Sequence, residues 1–406
     1  MKRKLSDIEK KEYSYFIRVL SSAVNATEPP LPYSGIDWNT LLKRAQYCGL
    51  GFAFSSVVLR LPKQYFPNDT VIKVLKENIN FGIMIDSNLN YEIEKVLSAF
   101  EKHKIKNVPV KGYFLKKEYP RPECRTVGDF DILFDINQVD SVKQAFSEIG
   151  YEFTFNDDNQ YHFRKLPYVF IEMHSSLVHE WESYYPYLCD SLDRSVKREG
   201  YDYSYELSPE DHYIYLLVHN SNHFRMGGLS IRMVLDTYVY YKNHKSDFDF
   251  DYLNERLKLF KLDVFEKRIR EIAFNWFSPD KQKITFDDLE IYIILSAVLG
   301  RVDAGVMIKS YKNILEAEKA GKNKSKFSYF LSSVFPRKSE MLPHYPYLER
   351  LPFLLPASWA SMWFKRLFID KNVHFKRGLK NRFSYTQEDI DYFKNILNET
   401  GFDDLN

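Results

Sequence analysis

The chain has 406 residues, of which 45% are hydrophobic and 28% are charged, so it has the composition of a globular protein with ample core material. This length predicts two or three subdomains. The formal net charge of +2 excludes bulk electrostatic attraction as a reason for nucleic-acid binding, which only a local basic cluster could provide.

The cysteines and the N-terminus indicate a cellular compartment. Cys48, Cys124 and Cys189 are an odd number without CxxC spacing, which argues against a disulfide framework or a zinc site and favours a reducing compartment. Cys124 lies near the motif described below, but no sequence feature makes it a nucleophile. The charged N-terminus lacks the apolar core of a signal peptide, and no run approaches the ~18 apolar residues of a membrane span. We therefore expect a cytoplasmic protein without a membrane segment.

The first half of the chain changes from helix to mixed structure near residue 106. Residues 1–100 read as mostly helical, with one helix starting at Asp37-Trp38 and a long one over about 71–103. Short strands are then predicted at 107–110, 128–134 and 169–174, and a hairpin is predicted from 151 to 166. A helix that starts near 139 and is closed by Gly150 separates the second strand from the hairpin. This alternation predicts an α+β region with a mixed sheet.

The second half of the chain returns to helix after about residue 205. Ser208-Pro209 is a strong helix start, and helical periodicity continues to 241 and recurs over 287–299 and 311–319. Residues 321–326 read as an exposed linker, and the Pro-rich segment 335–355 reads as extended or turn-rich chain. A basic run with interspersed aromatic residues covers 371–382, and its plainer interpretation is a solvated face.

Two aspartates in an apolar strand are the most informative feature of the sequence. Asp129 and Asp131 are at positions i and i+2 of the 128–134 strand, so both point to one face of it. Two carboxylates about 4 Å apart repel by roughly 1 kcal/mol in water and about 4 kcal/mol at a protein-like dielectric constant, so a neutralising cation is expected. A pair of Mg²⁺ ions holding a triphosphate is the leading candidate, and Glu172 in the 169–174 strand is a third carboxylate.

The order of these motifs resembles that of a known superfamily. Lys111-Gly112, Arg125, Gly-Asp-Phe-Asp at 128–131 and Ile-Glu-Met-His at 171–174 resemble the nucleotidyltransferases of the DNA-polymerase-β superfamily. Within it, the chain is most similar to the bacterial group called uncharacterised nucleotidyltransferases, and the similarity extends to 207–223 and 231–236. The resemblance implies an α+β fold in which a nucleotidyltransferase palm at 101–205 follows a helical region at 1–100. A helical substrate-side region at 206–320 and a linker with a wrapping tail at 321–406 complete the expected organisation.

The resemblance also implies a reaction and a set of site residues. The expected reaction is Mg²⁺-dependent transfer of a nucleoside monophosphate from an NTP to a hydroxyl of a small-molecule, sugar or protein acceptor, with Mn²⁺ as an alternative metal and pyrophosphate as the product. The catalytic metal-binding residues implied are Asp129, Asp131 and Glu172, and the phosphate-binding residues are Lys111, Gly112 and Arg125. Tyr113 departs from the superfamily, which usually has serine after this glycine, so only the backbone here is expected to cradle phosphate.

Several roles stay open at this point. Glu172 could complete the metal site or act as a base toward the acceptor hydroxyl, and Arg125 could bind triphosphate or hold the Asp loop through a carboxylate fork. His174 shares the face of Glu172 and could contact metal-bound water or substrate, or it could be a structural hydrogen-bonding group. The i, i+4 pairs of the later helices also have plain interpretations. His219 and His223 are interpreted as structural or pocket histidines rather than as a zinc site. Arg232 and Asp236 are interpreted as a salt bridge on one face of a helix.

Two other functions compete with this one. An RNA-directed transferase, including a toxin-like enzyme that modifies tRNA ends, is supported by the basic run at 371–382 alone. A binding module that kept the fold but lost turnover is the other, and the near-intact set of carboxylates argues against it. The acceptor pocket is expected from the helical regions.

Overall fold

The computed structural model describes residues 3–157, 159–167, 169–296, 335–342, 345–365 and 387–402. In this part of the chain, the helices before the sheet are α1 (Asp7–Asn25), α2 (Trp38–Tyr47), α3 (Gly51–Val58) and α4 (Asp69–Lys102). The two helices predicted here are confirmed as α2 and α4. Asp37 caps α2, because its side chain accepts hydrogen bonds from the amides of Asn39 and Thr40. This cap explains why the helix begins directly after Asp37.

A mixed sheet follows, as the alternating pattern predicts. Its strands are β1 (Asn107–Val110), β2 (Phe130–Phe134), β3 (Glu152–Asp157), β4 (Gln160–Lys165) and β5 (Val169–His174), with α5 (Gly112–Lys117) after β1 and α6 (Val139–Glu148) after β2. In the described residues these five strands are ordered β1-β2-β5-β4-β3. Only β2 and β5 are parallel to each other, and the neighbouring pairs are antiparallel. The α+β class, the mixed sheet and the predicted hairpin are thereby confirmed.

The two faces of the sheet have different surroundings. Phe130 and Ile132 of β2, with Ile171 and Met173 of β5, belong to a buried cluster that also contains residues of α4 and α6. The alternation of strand side chains sends Asp131 to the opposite face. On that face the sheet meets the second helical region of the chain, so the acidic side chains lie where sheet and helices adjoin.

The second helical region includes α7 (Tyr185–Leu188), α8 (Ser191–Arg194), the short strands β6 (Val196–Lys197) and β7 (Tyr205–Glu206), α9 (Pro209–Met226), α10 (Ile231–His244), α11 (Phe250–Leu259), α12 (Asp263–Phe277) and α13 (Asp288–Ile294). The predicted start of α9 is confirmed, because the Ser208 hydroxyl accepts a hydrogen bond of 3.1 Å from the Asp211 amide. The helical stretch predicted to run to residue 241 is divided into α9 and α10. Gly227 and Gly228 divide it, with φ angles of 145° and 152° that L-residues rarely adopt.

Later segments are described in part. The helices found there are Lys338–Met341, Leu355–Phe364 and Gln387–Glu399, and 3-10 turns cover Pro346–Glu349 and Pro352–Leu354, which agrees with the turn-rich prediction for 335–355. The predicted helix at 311–319, the linker at 321–326 and the basic run at 371–382 lie outside the described residues. Among the helices that are described, none combines the length and the apolarity that crossing a bilayer requires.

Candidate functional site

The pairing of β2 with β5 brings the acidic residues of the two predicted strands together. In the parallel register Asp131 is the partner of Glu172, and Leu133 is the partner of His174. Asp131, Glu172 and His174 each offer one potential metal ligand atom, and these atoms lie within 4.8 Å of one another. Within the described ranges this is the only group of three or more such side chains with that spacing.

Asp131 is the best-neutralised member of the trio. Its carboxylate is buried, and its Oδ1 accepts a hydrogen bond of 3.2 Å from Lys111 Nζ and one of 2.9 Å from His174 Nε2. Burial by itself would raise the pKa of Asp131, but Lys111 and His174 outweigh burial and hold the pKa well below its usual range. Asp131 is therefore ionised throughout the physiological pH range.

Glu172 lacks comparable neutralisation. Partial burial, followed by the charges of Asp129 and Asp131, raises the pKa of Glu172 to about 7. Its nearest cationic candidate is His162, whose Nδ1 lies 3.4 Å from Glu172 Oε1. Burial lowers the pKa of His162, so this ring is neutral at pH 7 and supplies no formal charge. The site thus has more negative charge than its own cations compensate, as expected of residues that receive a metal ion.

Asp129 lies at the entrance of this group rather than within it. It immediately precedes β2, its side chain is exposed, and it does not belong to the trio of close ligand atoms. Desolvation by the surrounding protein raises the pKa of Asp129, and the charge of Asp131 raises this pKa further. The set of three carboxylates predicted from the sequence therefore differs from the set that the register brings together, in which His174 is the third member.

His174 is a hydrogen-bond donor to Asp131. Burial lowers the pKa of His174 even though Asp131 acts in the opposite direction, so the ring is neutral at pH 7. An ionised carboxylate can only accept, and the proton of this imidazole must therefore be on Nε2, the nitrogen that faces Asp131. While Nε2 donates in this way it has no lone pair for a metal. The arrangement indicates that His174 orients Asp131.

Lys111 and Gly112 form a strained turn between β1 and α5. Lys111 has φ 48° and ψ −117°, a backbone conformation that is unfavourable for a residue with a side chain. It places Lys111 Nζ on Asp131 and, at 5.4 Å, over the ring of Tyr215. A Cβ atom at Gly112 would lie 3.0 Å from Cγ1 of Val127 and 3.3 Å from Nη1 of Arg125. A side chain at this position would therefore have to displace Val127 or Arg125 by a few tenths of an ångström, and glycine avoids this crowding.

Arg125 is engaged in a buried fork. Its Nε and Nη2 donate to the two carboxylate oxygens of Asp236 at 2.7 and 3.0 Å, and its Nη1 donates to the carbonyl of Gly112 at 3.1 Å. Tyr119 donates a further hydrogen bond of 2.7 Å to Asp236. These contacts support the holding role of Arg125, although the fork binds α10 rather than the Asp strand. The predicted Arg232–Asp236 pair is wrong, because Asp236 is the partner of Arg125 and the Arg232 guanidinium donates to the carbonyl of Thr126 at 3.1 Å.

The two histidines of α9 show the features of neutral pocket residues. The ring centroids of His219 and His223 are 4.5 Å apart. Burial and the nearby charge of Lys111 hold the pKa of His219 well below its usual range and lower the pKa of His223 to about 4. In the described chain they do not join a third side chain in a cluster with metal-ligand spacing.

A cleft with a volume of about 510 Å³ opens on the acidic face of the sheet. Its lining includes Gly128, Asp129, Phe155, His162, Phe170 and Glu172. Phe155 and Phe170 are exposed there, and the ring of His162 stacks on Phe155 at 4.2 Å. The sequence analysis missed His162 and Phe155, because only the register between β4 and β5 pairs His162 with Glu172. The predicted acceptor pocket of helical residues is not the cleft described here, whose lining comes from the strands and from the loop before β2.

The thiol near the motif agrees with its interpretation as a bystander. Cys124 is buried, and burial raises its pKa to about 12. At neutral pH such a thiol holds almost no thiolate, which is the form that acts as a nucleophile. The site therefore depends on its carboxylates and cations and not on cysteine chemistry.

Comparison with known proteins gives one match. A protein-family model described as uncharacterised nucleotidyltransferase matches residues 34–278, a range that contains the whole sheet and both α9 and α10. The search of curated proteins and the search of solved structures gave no significant match.

Proposed function

Because the chain belongs to the uncharacterised nucleotidyltransferase family and is an enzyme of that class, we propose that it transfers a nucleoside monophosphate from an NTP to an acceptor hydroxyl and releases pyrophosphate. The observation that carries this proposal is the pairing of Asp131 with Glu172 across parallel strands, with more negative charge than the neighbouring cations compensate. The five-stranded sheet would be the catalytic palm, within the proposed region 101–205.

The residues present fit a divalent cation. Asp131 and Glu172 offer carboxylate oxygens close together, and Asp129 adds a carboxylate at the exposed entrance. Oxygen ligands of this type are those that Mg²⁺ prefers, and Mn²⁺ accepts the same set. The raised pKa of Glu172 supports the same conclusion, because burial and the charges of Asp129 and Asp131 outweigh the effect of Lys111 on this carboxylate. When bound, the ion supplies neutralisation of the phosphate oxygens and of the charge that develops on them.

The other residues position the substrate and hold the site together. The Lys111 ammonium, now bonded to Asp131, is within reach of a triphosphate held by the carboxylates, and Gly112 lets the backbone approach it closely. Arg125 holds this turn and α10 in place through its bonds to Gly112 and Asp236. Glu172 is assigned to the cation rather than to the proton of the acceptor hydroxyl, because a bound cation would lower the pKa of about 7 that Glu172 has in the metal-free protein.

The proposal also includes the chemical class of the acceptor and the place where it binds. A small molecule, a sugar or a protein is favoured over RNA, because the formal net charge of +2 provides no bulk electrostatic attraction for nucleic acid. The cleft beside Glu172, with the exposed rings of Phe155 and Phe170, is the proposed binding place for the group that receives the nucleotide. The cysteine pattern supports our placing the enzyme in a reducing compartment, the cytoplasm.

The experiment uses the full-length protein with Mg²⁺ or Mn²⁺ and each α-labelled NTP, over cell extract fractionated into RNA, protein and metabolites. We expect label to enter one fraction, and Asp131→Asn to lower that transfer by about 100-fold or more, since loss of several kcal/mol of metal electrostatics corresponds to that factor. Asp140→Asn, an exposed carboxylate of α6, is the control and should label like the wild type.

Each outcome of this experiment bears on the proposal. Equal labelling by Asp131→Asn would contradict the metal assignment. Label in RNA would establish the tRNA-type alternative, and nucleotide binding without label in any fraction would indicate the non-catalytic module.

A further inference from the structure

The N-terminus of α10 lacks the cap that its sequence leads one to expect. Ser230 occupies the N-cap position with extended backbone (φ −85°, ψ 159°), but its hydroxyl makes no capping hydrogen bond. Ser230 is completely buried, and its Oγ has no partner among the described residues. By contrast, Ser208 at the start of α9 accepts a hydrogen bond from the Asp211 amide. A buried hydroxyl at a helix N-terminus without a partner is costly, which points to a ligand that completes the site.

Arg232 provides a second, independent observation at the same helix end. It lies two residues after Ser230, and its Nε is buried without a hydrogen-bond partner in the described chain. The carboxylate expected to neutralise it, Asp236, is occupied by Arg125. Burial, and then repulsion by Arg125, lower the pKa of Arg232. Arg232 thus keeps a free donor and has to share Asp236 with another arginine, and a guanidinium with a donor to spare is suited to bind an oxyanion.

The position of Arg232 relates this helix end to the acidic site. Its Nη1 donates to the carbonyl of Thr126, which lies three residues before Asp129 in the loop that leads into β2. The loop before α10 contains Gly227 and Gly228, so its backbone is built from residues that allow close approach. Helix N-terminal amides attract negative charge, and α10 is 14 residues long.

We propose that Ser230, Arg232 and the N-terminal amides of α10 form an anion site that receives the terminal phosphates of the NTP. The inference deepens the proposed function and rests on it, because it assigns the triphosphate to the helical side of the carboxylates. Arg125, expected from the sequence to be a candidate for this role, has each of its three nitrogens bonded to protein, whereas Arg232 has a donor to spare. Arg232 would thus bind the phosphates, and the aromatic cleft on the other side would be left for the acceptor.

Binding of inorganic tripolyphosphate and of AMP, measured by calorimetry in EDTA, tests the site without metal and without turnover. Arg232→Gln should weaken tripolyphosphate binding by about 10-fold or more, because one charge-assisted fork to phosphate is lost, and should leave AMP binding unchanged. Arg232→Lys should retain part of the affinity, since it keeps the charge but not the fork. Lys242→Gln is the matched control, an exposed cation at the other end of the same helix, and should bind like the wild type.

Ser230→Ala keeps the proposal testable if Arg232→Gln fails to fold. It removes only a buried hydroxyl that bonds nothing, so we expect an unchanged or raised melting temperature and several-fold weaker tripolyphosphate binding. Unchanged affinity in both Ser230→Ala and Arg232→Gln, or no tripolyphosphate binding by the wild type, would overturn the anion site. Loss of labelling is measured separately with Asp131→Asn, so the two proposals fail by different results.

Discussion

Glu172 shows how one residue combines an ordinary strand position with an unusual charge environment. Its side chain is half-buried on the face of the sheet that also carries Asp131, and His162 beside it is neutral at pH 7. In the metal-free protein the negative charge of Glu172 is therefore unfavourable. The same charge would be favourable once a cation is bound. Charge repulsion at the site therefore lowers the stability of the metal-free protein and raises its affinity for a cation.

The pH dependence of stability tests this account. The pKa of Glu172 is about 7 in the folded protein and near 4.5 when unfolded, so the folded state alone keeps the proton between these values. Stability therefore falls as pH rises from about 4.5 to 7. In EDTA, Glu172→Gln should match the wild type near pH 4 and be more stable by on the order of 2 kcal/mol at pH 8, as measured by urea unfolding. Glu152→Gln, which changes an exposed glutamate of β3, is the control, and its stability relative to the wild type should not rise with pH. The same pH dependence in both variants would refute the prediction.

At the scale of elements, the buried fork between Arg125 and Asp236 joins α10 to the loop before β2. Both side chains are buried, and the carboxylate also accepts the Tyr119 hydroxyl. The third nitrogen of Arg125 bonds the carbonyl of Gly112 at the start of α5. One guanidinium therefore holds together three elements that surround the carboxylates.

Removing this guanidinium should cost much more than removing an exposed one. Arg125→Gln leaves Asp236 buried without its partner charge, so we expect a loss of about 3–5 kcal/mol in the free energy of unfolding. The control is Arg164→Gln, which breaks the exposed 3.0 Å pair with Glu152 and should cost less than about 1 kcal/mol. Denaturant titration of both variants gives the comparison. The double variant with Asp236→Asn should recover part of the loss, and no recovery would argue against the charge-burial explanation.

At the scale of the whole molecule, the main core extends beyond the region that matches the family. Phe16, Ile17 and Leu20 of α1 are buried in the same cluster as residues of α9, α10 and α12, although the family match begins only at residue 34. The Ser21 hydroxyl also donates a hydrogen bond of 2.7 Å to the carbonyl of Phe277 at the end of α12. The N-terminal helix is therefore part of the folded unit that supports the site.

A core substitution in α1 should consequently destabilise the whole protein. Phe16→Ala removes a fully buried ring whose centroid lies 5.7 Å from that of Phe54. We expect a loss of about 3–5 kcal/mol in the free energy of unfolding. Ile8→Ala on the same helix is the control, since Ile8 is 69% exposed and should cost little. Thermal and denaturant unfolding of both variants measure the difference. A small effect of Phe16→Ala would mean that α1 folds independently of the remaining core.

Local chemistry explains what could be predicted from the sequence. Strand alternation put Phe130 and Ile132 on the side opposite to Asp131, a capping hydroxyl at Ser208 marked the start of α9, and hydrophobic periodicity marked α4. These features depend on neighbours within a few residues, so the sequence alone determined where these helices begin and where the acidic strand lies.

The partners of the site residues depended on the tertiary structure. Arg125 bonds Asp236, 111 positions away, and His174 bonds Asp131, 43 positions away, while Arg232 lost the partner that helical spacing predicted. Helical spacing states only which side chains can meet on one isolated helix. Which charges are paired in the folded chain is decided by the packing of α10 on the loop before β2 and by the register of β2 with β5, and these long-range contacts leave no local signal in the sequence.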